Sequence, residues 1–217
     1  MRNISTVLSF LSVALLHFVT AVDGLIQKTS TPPLLDVPTY SLATLNEDGS
    51  VNMNILTYAT PVPTAPARVW SLGLFKDTLS EANLRRSGVC VLQLLSEQHK
   101  DAVPVLGSVS GRDVDKKAVC QQLGLEWEDL KDDDGFQVLP GCVKYMKLSI
   151  QGGVVDAGTH FIVPFCEVVE TYTSGDDDDN TQQQQHLSTG MLRDAGIITE
   201  KGRVAEEKQY SVSSAYN

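Results

Sequence analysis

Between residues 38 and 171 the apolar residues come in short runs separated by turn residues and capped helical stretches, with no regular alternation of strand-like and helix-like segments. A doubly wound sheet needs that alternation, because each parallel strand is reached through a crossover helix. Its absence points to an α+β fold built on an antiparallel sheet with inserted helices. Residues 40–45 and 51–56 flank Asn46-Glu47-Asp48-Gly49-Ser50, a turn cluster in which Gly49 tolerates positive φ, so they read as a hairpin. A proline-rich connection at 61–66 leads to a third strand at 69–74, and further strands are expected at 143–151 and 160–171. Residues 89–95 form an apolar run, broken only by Gln93 and bounded by polar positions, the pattern of a strand covered on both faces.

Helix signals fall between these runs. Thr78-Leu79-Ser80-Glu81 has the form of a capping box, and Gly88 closes the helix it opens. Ser96 caps a second helical stretch that Pro104 and Gly107 should limit, residues 113–123 give a third ending at Gly124, and residues 187–195 a last one ending at Gly196. Residues 127–135 read as an exposed acidic connection, and 174–185, rich in Asp and Gln, as a low-complexity loop.

The amino terminus differs from the rest. Arg2 precedes an apolar stretch from residue 7 to 19, and Val19-Thr20-Ala21 offers small residues to a signal peptidase, so residues 1–23 are expected to be a cleavable leader. It directs the chain to the secretory pathway or, as half of a bipartite address, to a plastid. No other stretch is long and apolar enough for a membrane helix, so no membrane partner is expected after its removal. A formal net charge of −10 argues against nucleic acid or anionic lipid as partner, since either repels such a surface. The four cysteines, Cys90, Cys120, Cys142 and Cys166, form no Cys-x-x-Cys pair and have no His at ligand spacing, so no metal site is expected. Buried free thiols are the favoured reading, with disulfides open in an oxidising compartment. Walker, Rossmann, zinc-protease and serine-hydrolase motifs are absent.

Three segments, in order, carry a resemblance: NMNILTYATPV at 52–62; LGLFKDTL at 72–79 running into Asn83-Leu84 and Gly88-Val89-Cys90; and DAGTH at 156–160 leading to Cys166-Glu167-Val168. Together they resemble the flavin reductase-like family, whose fold is an FMN-binding split barrel. The third departs from the family pattern, with Thr159 where Asp is usual. The resemblance implies a split barrel over residues 24–173; the loop at 174–186 and a terminal helix and tail at 187–217 follow it. It also implies FMN as cofactor, NAD(P)H as co-substrate and a homodimer.

Each part of an FMN site then has candidates. The phosphate needs donors in a positive field, which Lys76 and Thr78 supply at a helix start, with Asn83 nearby. The flavin ring edge needs alternating polar and apolar groups, which Thr57, Tyr58, Ala59 and Thr60 provide in a segment that Pro61 keeps extended, with Asn54 orienting it. His160 is the candidate catalytic residue, an imidazole suited to contact nicotinamide or to place a proton. His99 and His186 have no such context and read as surface residues. The expected function is an FMN-binding oxidoreductase using NAD(P)H to reduce flavin or a small acceptor. The alternatives are a flavin- or haem-binding split barrel without turnover and a disulfide-stabilised binding domain without cofactor.

Overall fold

The hairpin expected around Gly49 forms in the computed structural model. Strands β1 (Tyr40–Leu45) and β2 (Val51–Leu56) pair antiparallel from Tyr40↔Leu56 to Leu45↔Val51, and Gly49 turns the chain at φ 83°. The structure describes residues 33–62, 68–132, 135–173 and 185–210; the leader and residues 174–184 of the low-complexity loop lie outside the described residues. Every described element belongs to the compact unit Leu35–Asn217.

The remaining strands are β3 (Ala59–Pro61), β4 (Val69–Phe75), β5 (Val89–Leu94), β6 (Glu128–Asp129), β7 (Gln137–Val138), β8 (Lys144–Ile150), β9 (Val155–Ala157) and β10 (His160–Tyr172). The main sheet runs β2-β1-β5-β8-β10-β4-β3, with β9 added on β10, and all its pairings are antiparallel. β2 and β3 stand at opposite ends of that order, yet only Thr57 and Tyr58 separate them in the chain. Three residue steps reach at most about 11 Å. The two edges must therefore curl towards each other, which makes the sheet a barrel left open along one seam, as expected.

Period-two alternation divides the core. Tyr40, Leu42, Leu56, Trp70, Leu72, Leu74, Cys90, Leu92, Met146, Leu148, Val163 and Cys166 form one buried cluster, the barrel interior. Leu84 joins it from helix α1 (Leu79–Ser87). Residues of opposite parity, among them Ala43, Met53, Val91 and Tyr145, form a second cluster. It is completed by a 3-10 helix (Glu97–Ala102), α2 (Val103–Ser108), α3 (Lys116–Gln122), the β6–β7 hairpin and the chain beyond Leu187, including α4 (Thr189–Asp194). β5 contributes to both clusters, which is why its sequence is apolar but for the buried Gln93, whose Oε1 accepts from Leu139 N–H at 2.7 Å. Each large apolar side chain so buried contributes roughly 1.5–3 kcal/mol.

α1 starts and stops where expected. Thr78 is its N-cap, with Oγ1 accepting from Glu81 N–H at 3.2 Å, and Gly88 ends it at φ 70°, donating to Leu84 O. The Glu81 carboxylate accepts from Arg85 Nε rather than closing the capping box.

Three expectations are corrected. Pro104 does not stop a helix but sits in the first turn of α2, where its missing N–H is no loss, and α2 runs past Gly107 to Ser108. Residues 127–135 are not an exposed connection: Glu128 and Asp129 face solvent, but Trp127 and Leu130 are buried, and β6 pairs with β7. His99 is not a surface residue. Its ring is fully buried, Nδ1 accepts from Ser96 N–H at 3.1 Å, and Nε2 lies 2.9 Å from Pro140 O. His186 is exposed.

Buried polar groups tie the layers together. Lys116, 6% exposed, donates to Met53 O and Leu106 O, both at 2.9 Å, joining α3 to β2 and α2. Burial lowers its pKa to about 8. All four thiols are free and buried. Cys90 and Cys166 share the barrel interior, but β8 lies between their strands. Two strand spacings put their backbones about 9 Å apart, beyond the reach of a disulfide.

Candidate functional site

The register of β4 with β10 and the short β2–β3 link bring three separated segments to one end of the barrel. Phe75, the last residue of β4, pairs with His160, the first of β10, and Gly73 N–H donates to Tyr58 O at 2.8 Å. The side chains meet accordingly. His160 lies against Phe75 with ring centroids 4.0 Å apart, and Tyr58 stands edge-on to His160 at 5.2 Å and to Phe75 at 6.2 Å. Tyr58 and Phe75 are each 53% exposed, so this end of the barrel offers a semi-exposed aromatic face.

His160 supplies the polar element of that face. Its Nδ1 is 2.9 Å from Thr159 Oγ1, while Nε2 is buried with no hydrogen-bond partner among the described residues. Buried side-chain nitrogens are nearly always paired, so an orphan beside an open aromatic surface is a place for a ligand atom.

Beyond Phe75 the chain makes a tight turn into α1. Asp77 takes φ 64°, a left-handed conformation that costs a non-glycine residue about 1 kcal/mol or more. Thr78 Oγ1 caps α1 and also donates to Phe75 O at 3.0 Å, so its hydroxyl is engaged on both sides. Lys76 forms an ion pair with Asp156 at 2.6 Å, and its N–H donates to Thr159 O. Bonds from Lys76 and from Gly158 N–H hold the Asp156 carboxyl below the usual range.

The other candidates are spread more widely. Thr57 is half-buried in the β2–β3 link, while Ala59 and Thr60 belong to β3 instead of the expected loop and pair with Leu72 and Ser71. Thr60 thus lies about four residues, or some 13 Å, back along β4 from Phe75. Asn54 shares the inward parity of Leu56, and its Oδ1 is buried without a partner. Asn83 is 4% exposed and gives its amide hydrogens to Thr44 Oγ1 at 3.2 Å and Asn46 Oδ1 at 2.7 Å, which fastens α1 to the hairpin. The structure therefore groups Tyr58, Lys76, Thr78 and His160 and sets Thr60 and Asn83 apart. It adds Phe75, Asp156 and Thr159, which sequence reasoning did not assign. They lie in the 72–79 and 156–160 segments of the resemblance, but which of their residues meet depends on the pairing of β4 with β10, which is tertiary.

Two other places have site-like chemistry. Cys142 Sγ lies 3.8 Å from His99 Nε2, but His99 Nδ1 accepts a backbone N–H. Its proton therefore sits on Nε2, directed at Pro140 O, and the ring cannot act as base for the thiol. Burial raises the Cys142 pKa, which makes the thiolate rarer still. A cavity of about 770 Å³ opens between the β1–β2 turn, residues 111–117 and the β6–β7 hairpin. Asp48, Asp113, Asp115 and Asp129 line it together with Arg112, Lys116 and Lys117, and its one aromatic residue, Trp127, is buried. With charges of both signs and no open ring face, it suits an aromatic ligand less well than the Tyr58–His160 end. Among the described residues there is no metal-binding cluster and no helix long and apolar enough to cross a membrane.

A curled antiparallel half-barrel with a helical layer on one face and an aromatic, cation-flanked end defines a split barrel of the kind seen in flavin-binding proteins. The chain belongs to the flavin reductase like domain family, whose model matches residues 35–190. No curated protein matches it. Among solved structures it is similar to an FMN-binding protein of Thermus thermophilus crystallised with 1-cyclohex-2-enone (TM-score 0.54, 19% identity, covering 83% of this chain and 86% of that one). It is also similar to the NADH:FAD oxidoreductase of Streptomyces globisporus in complex with NAD and FAD fragments (TM-score 0.52, 16% identity, 64% of this chain and 76% of that one). A candidate oxidoreductase of Sinorhizobium meliloti has TM-score 0.55 and 17% identity over 71% of this chain, which spans only 47% of that longer protein.

Proposed function

We propose that this chain binds FMN at the Tyr58–Phe75–His160 end and transfers reducing equivalents from NAD(P)H to flavin or a small acceptor. The observation that carries the reading is the orphaned, buried His160 Nε2 beside two half-exposed rings, in a chain of the flavin reductase like family. The residues suit the ligand: the rings offer a stacking surface, Nε2 a hydrogen-bond partner, and the α1 N-terminus unpaired backbone donors for a phosphate. Bound flavin supplies the hydride chemistry, so no protein nucleophile is needed. Tyr58 and Phe75 shield the reacting face from water, and His160, fixed by Thr159 and its ring contacts, orients a group or holds a proton at Nε2. The Thermus thermophilus and Streptomyces globisporus proteins support FMN and a nicotinamide nucleotide, respectively, as ligands of this fold.

The same reading includes a homodimer. Helices cover the outer face of β1, β2 and β5, whereas Val62, Phe75, Val155, Phe165 and Val169, on or beside β3, β4, β9 and β10, are half-exposed. A second copy of the chain is the natural cover for such a contiguous apolar face, because cyclic dimers bury one patch on both subunits. Size-exclusion chromatography with light scattering, run on protein loaded with FMN, tests both parts. The expected result is a dimer carrying flavin, converted to monomer by Phe165→Lys. A wild-type protein that runs as a monomer overturns the dimer, and one that elutes without flavin overturns the cofactor.

A further inference from the structure

The structure leaves the loop before α1 with an electrostatic deficit. A phosphate at the α1 N-terminus needs positive charge, but Lys76 is held 2.6 Å from Asp156, so its charge is already matched. Thr78 has its hydroxyl committed to Glu81 N–H and Phe75 O. Asp77, between them, sits in a left-handed conformation that needs outside support.

That support comes from far along the chain. Arg112 Nη1 donates to Asp77 O at 3.0 Å across 35 residues of sequence. The residue before it explains how the approach is possible. A Cβ on Gly111 would stand 2.2 Å from Asn52 Oδ1 and 3.2 Å from Leu79 Cδ2, so only glycine lets the backbone pass this close to the start of α1. Asn52 is itself anchored there, Nδ2 donating to Ser80 Oγ at 2.9 Å. The Gly111-Arg112 corner is thus packed onto the first turn of α1. Among the described residues no carboxylate lies within ion-pair distance of Arg112, and its side chain is exposed.

We infer that Arg112 is the phosphate-positioning residue of this site: one arm of its guanidinium holds the Asp77 turn, and the rest of the fork supplies the charge that Lys76 has given to Asp156. The inference rests on the reading of this end as the FMN site. Five N–H donors in a planar fork allow both tasks at once, which a lysine ammonium does less well. The ligand group recognised is a phosphomonoester, so riboflavin, which has the same ring and no phosphate, should be indifferent to Arg112.

The test is equilibrium titration of the full chain with FMN and, separately, with riboflavin, for wild type, Arg112→Ala, Arg112→Gln and Lys76→Glu, with a thermal melt of each. Arg112→Gln retains a donor for Asp77 O and loses only charge. The expected result is that both Arg112 variants bind FMN at least about tenfold more weakly, bind riboflavin within about threefold of wild type, and melt as folded proteins. Arg112→Lys should recover part of the FMN affinity. If both Arg112 variants keep FMN within about twofold while Lys76→Glu weakens it, the inference fails and the site stands. If FMN and riboflavin weaken equally, Arg112 is a structural prop only. If neither Arg112 nor Lys76 variants affect FMN binding, the placement of the site itself is wrong.

Discussion

Replacing His160 by alanine should slow NAD(P)H-dependent flavin reduction by about tenfold or more while leaving FMN affinity within about threefold. His160 Nε2 is buried at the aromatic end with no partner among the described residues, so its deletion removes an interaction available to the reacting partners and not one the fold consumes. The Phe75 and Tyr58 rings remain to hold flavin. A purely structural His160 gives a different pattern. Losing its contacts with Phe75, Tyr58 and Thr159 then changes stability by about 0.5–3 kcal/mol, with rate and affinity moving together or not at all. Rapid-mixing kinetics, an FMN titration and a thermal melt of both proteins separate the two patterns.

Lys76→Glu should weaken FMN binding by about tenfold or more, or about 1.4 kcal/mol, with a much smaller effect on riboflavin. Lys76 now neutralises Asp156, and a glutamate in its place leaves two uncompensated carboxylates beside the turn into α1. Both then oppose a phosphate at the helix N-terminus. The fold should survive, because the pair lies near the surface, with Asp156 exposed and Lys76 half-buried, and such pairs contribute little to stability. Comparable losses for FMN and riboflavin, or none for either, would remove Lys76 from the phosphate loop.

Much of the scaffold was legible because its signals are local. The Gly49 turn, the Thr78 cap, the Gly88 stop and the largely apolar run of β5 each fix a boundary from a few neighbouring residues. β3 escaped notice because three residues ending in proline have no pattern of their own; their partner, β4, makes the strand. The β6–β7 hairpin was hidden by charge, since Glu128 and Asp129 dominate its composition while Trp127, Leu130, Phe136 and Val138 are buried around them. The Ser96-x-x-His99 spacing was a capping signal that could have placed His99 indoors.

The site was legible to the same degree and for the same reason. Residues 57–60 and 76–78 are marked by composition and capping, and His160 by the 156–160 segment of the resemblance. That Lys76 meets Asp156, or that Arg112 reaches Asp77, depends on how the sheet curls and cannot be read from either segment. Asn83 looked like a donor near a phosphate, but helical periodicity turns it towards Thr44 and Asn46 on the hairpin.

The central claim is that this barrel holds flavin where a nicotinamide nucleotide can reduce it. Its most direct test is the visible spectrum of the purified protein with stoichiometric FMN, followed anaerobically as NADH or NADPH is added. The account predicts a protein-bound flavin band that bleaches with at least one of the two nucleotides, faster than free FMN under the same conditions. A protein that binds FMN yet shows no bleaching with either nucleotide would contradict the reductase reading.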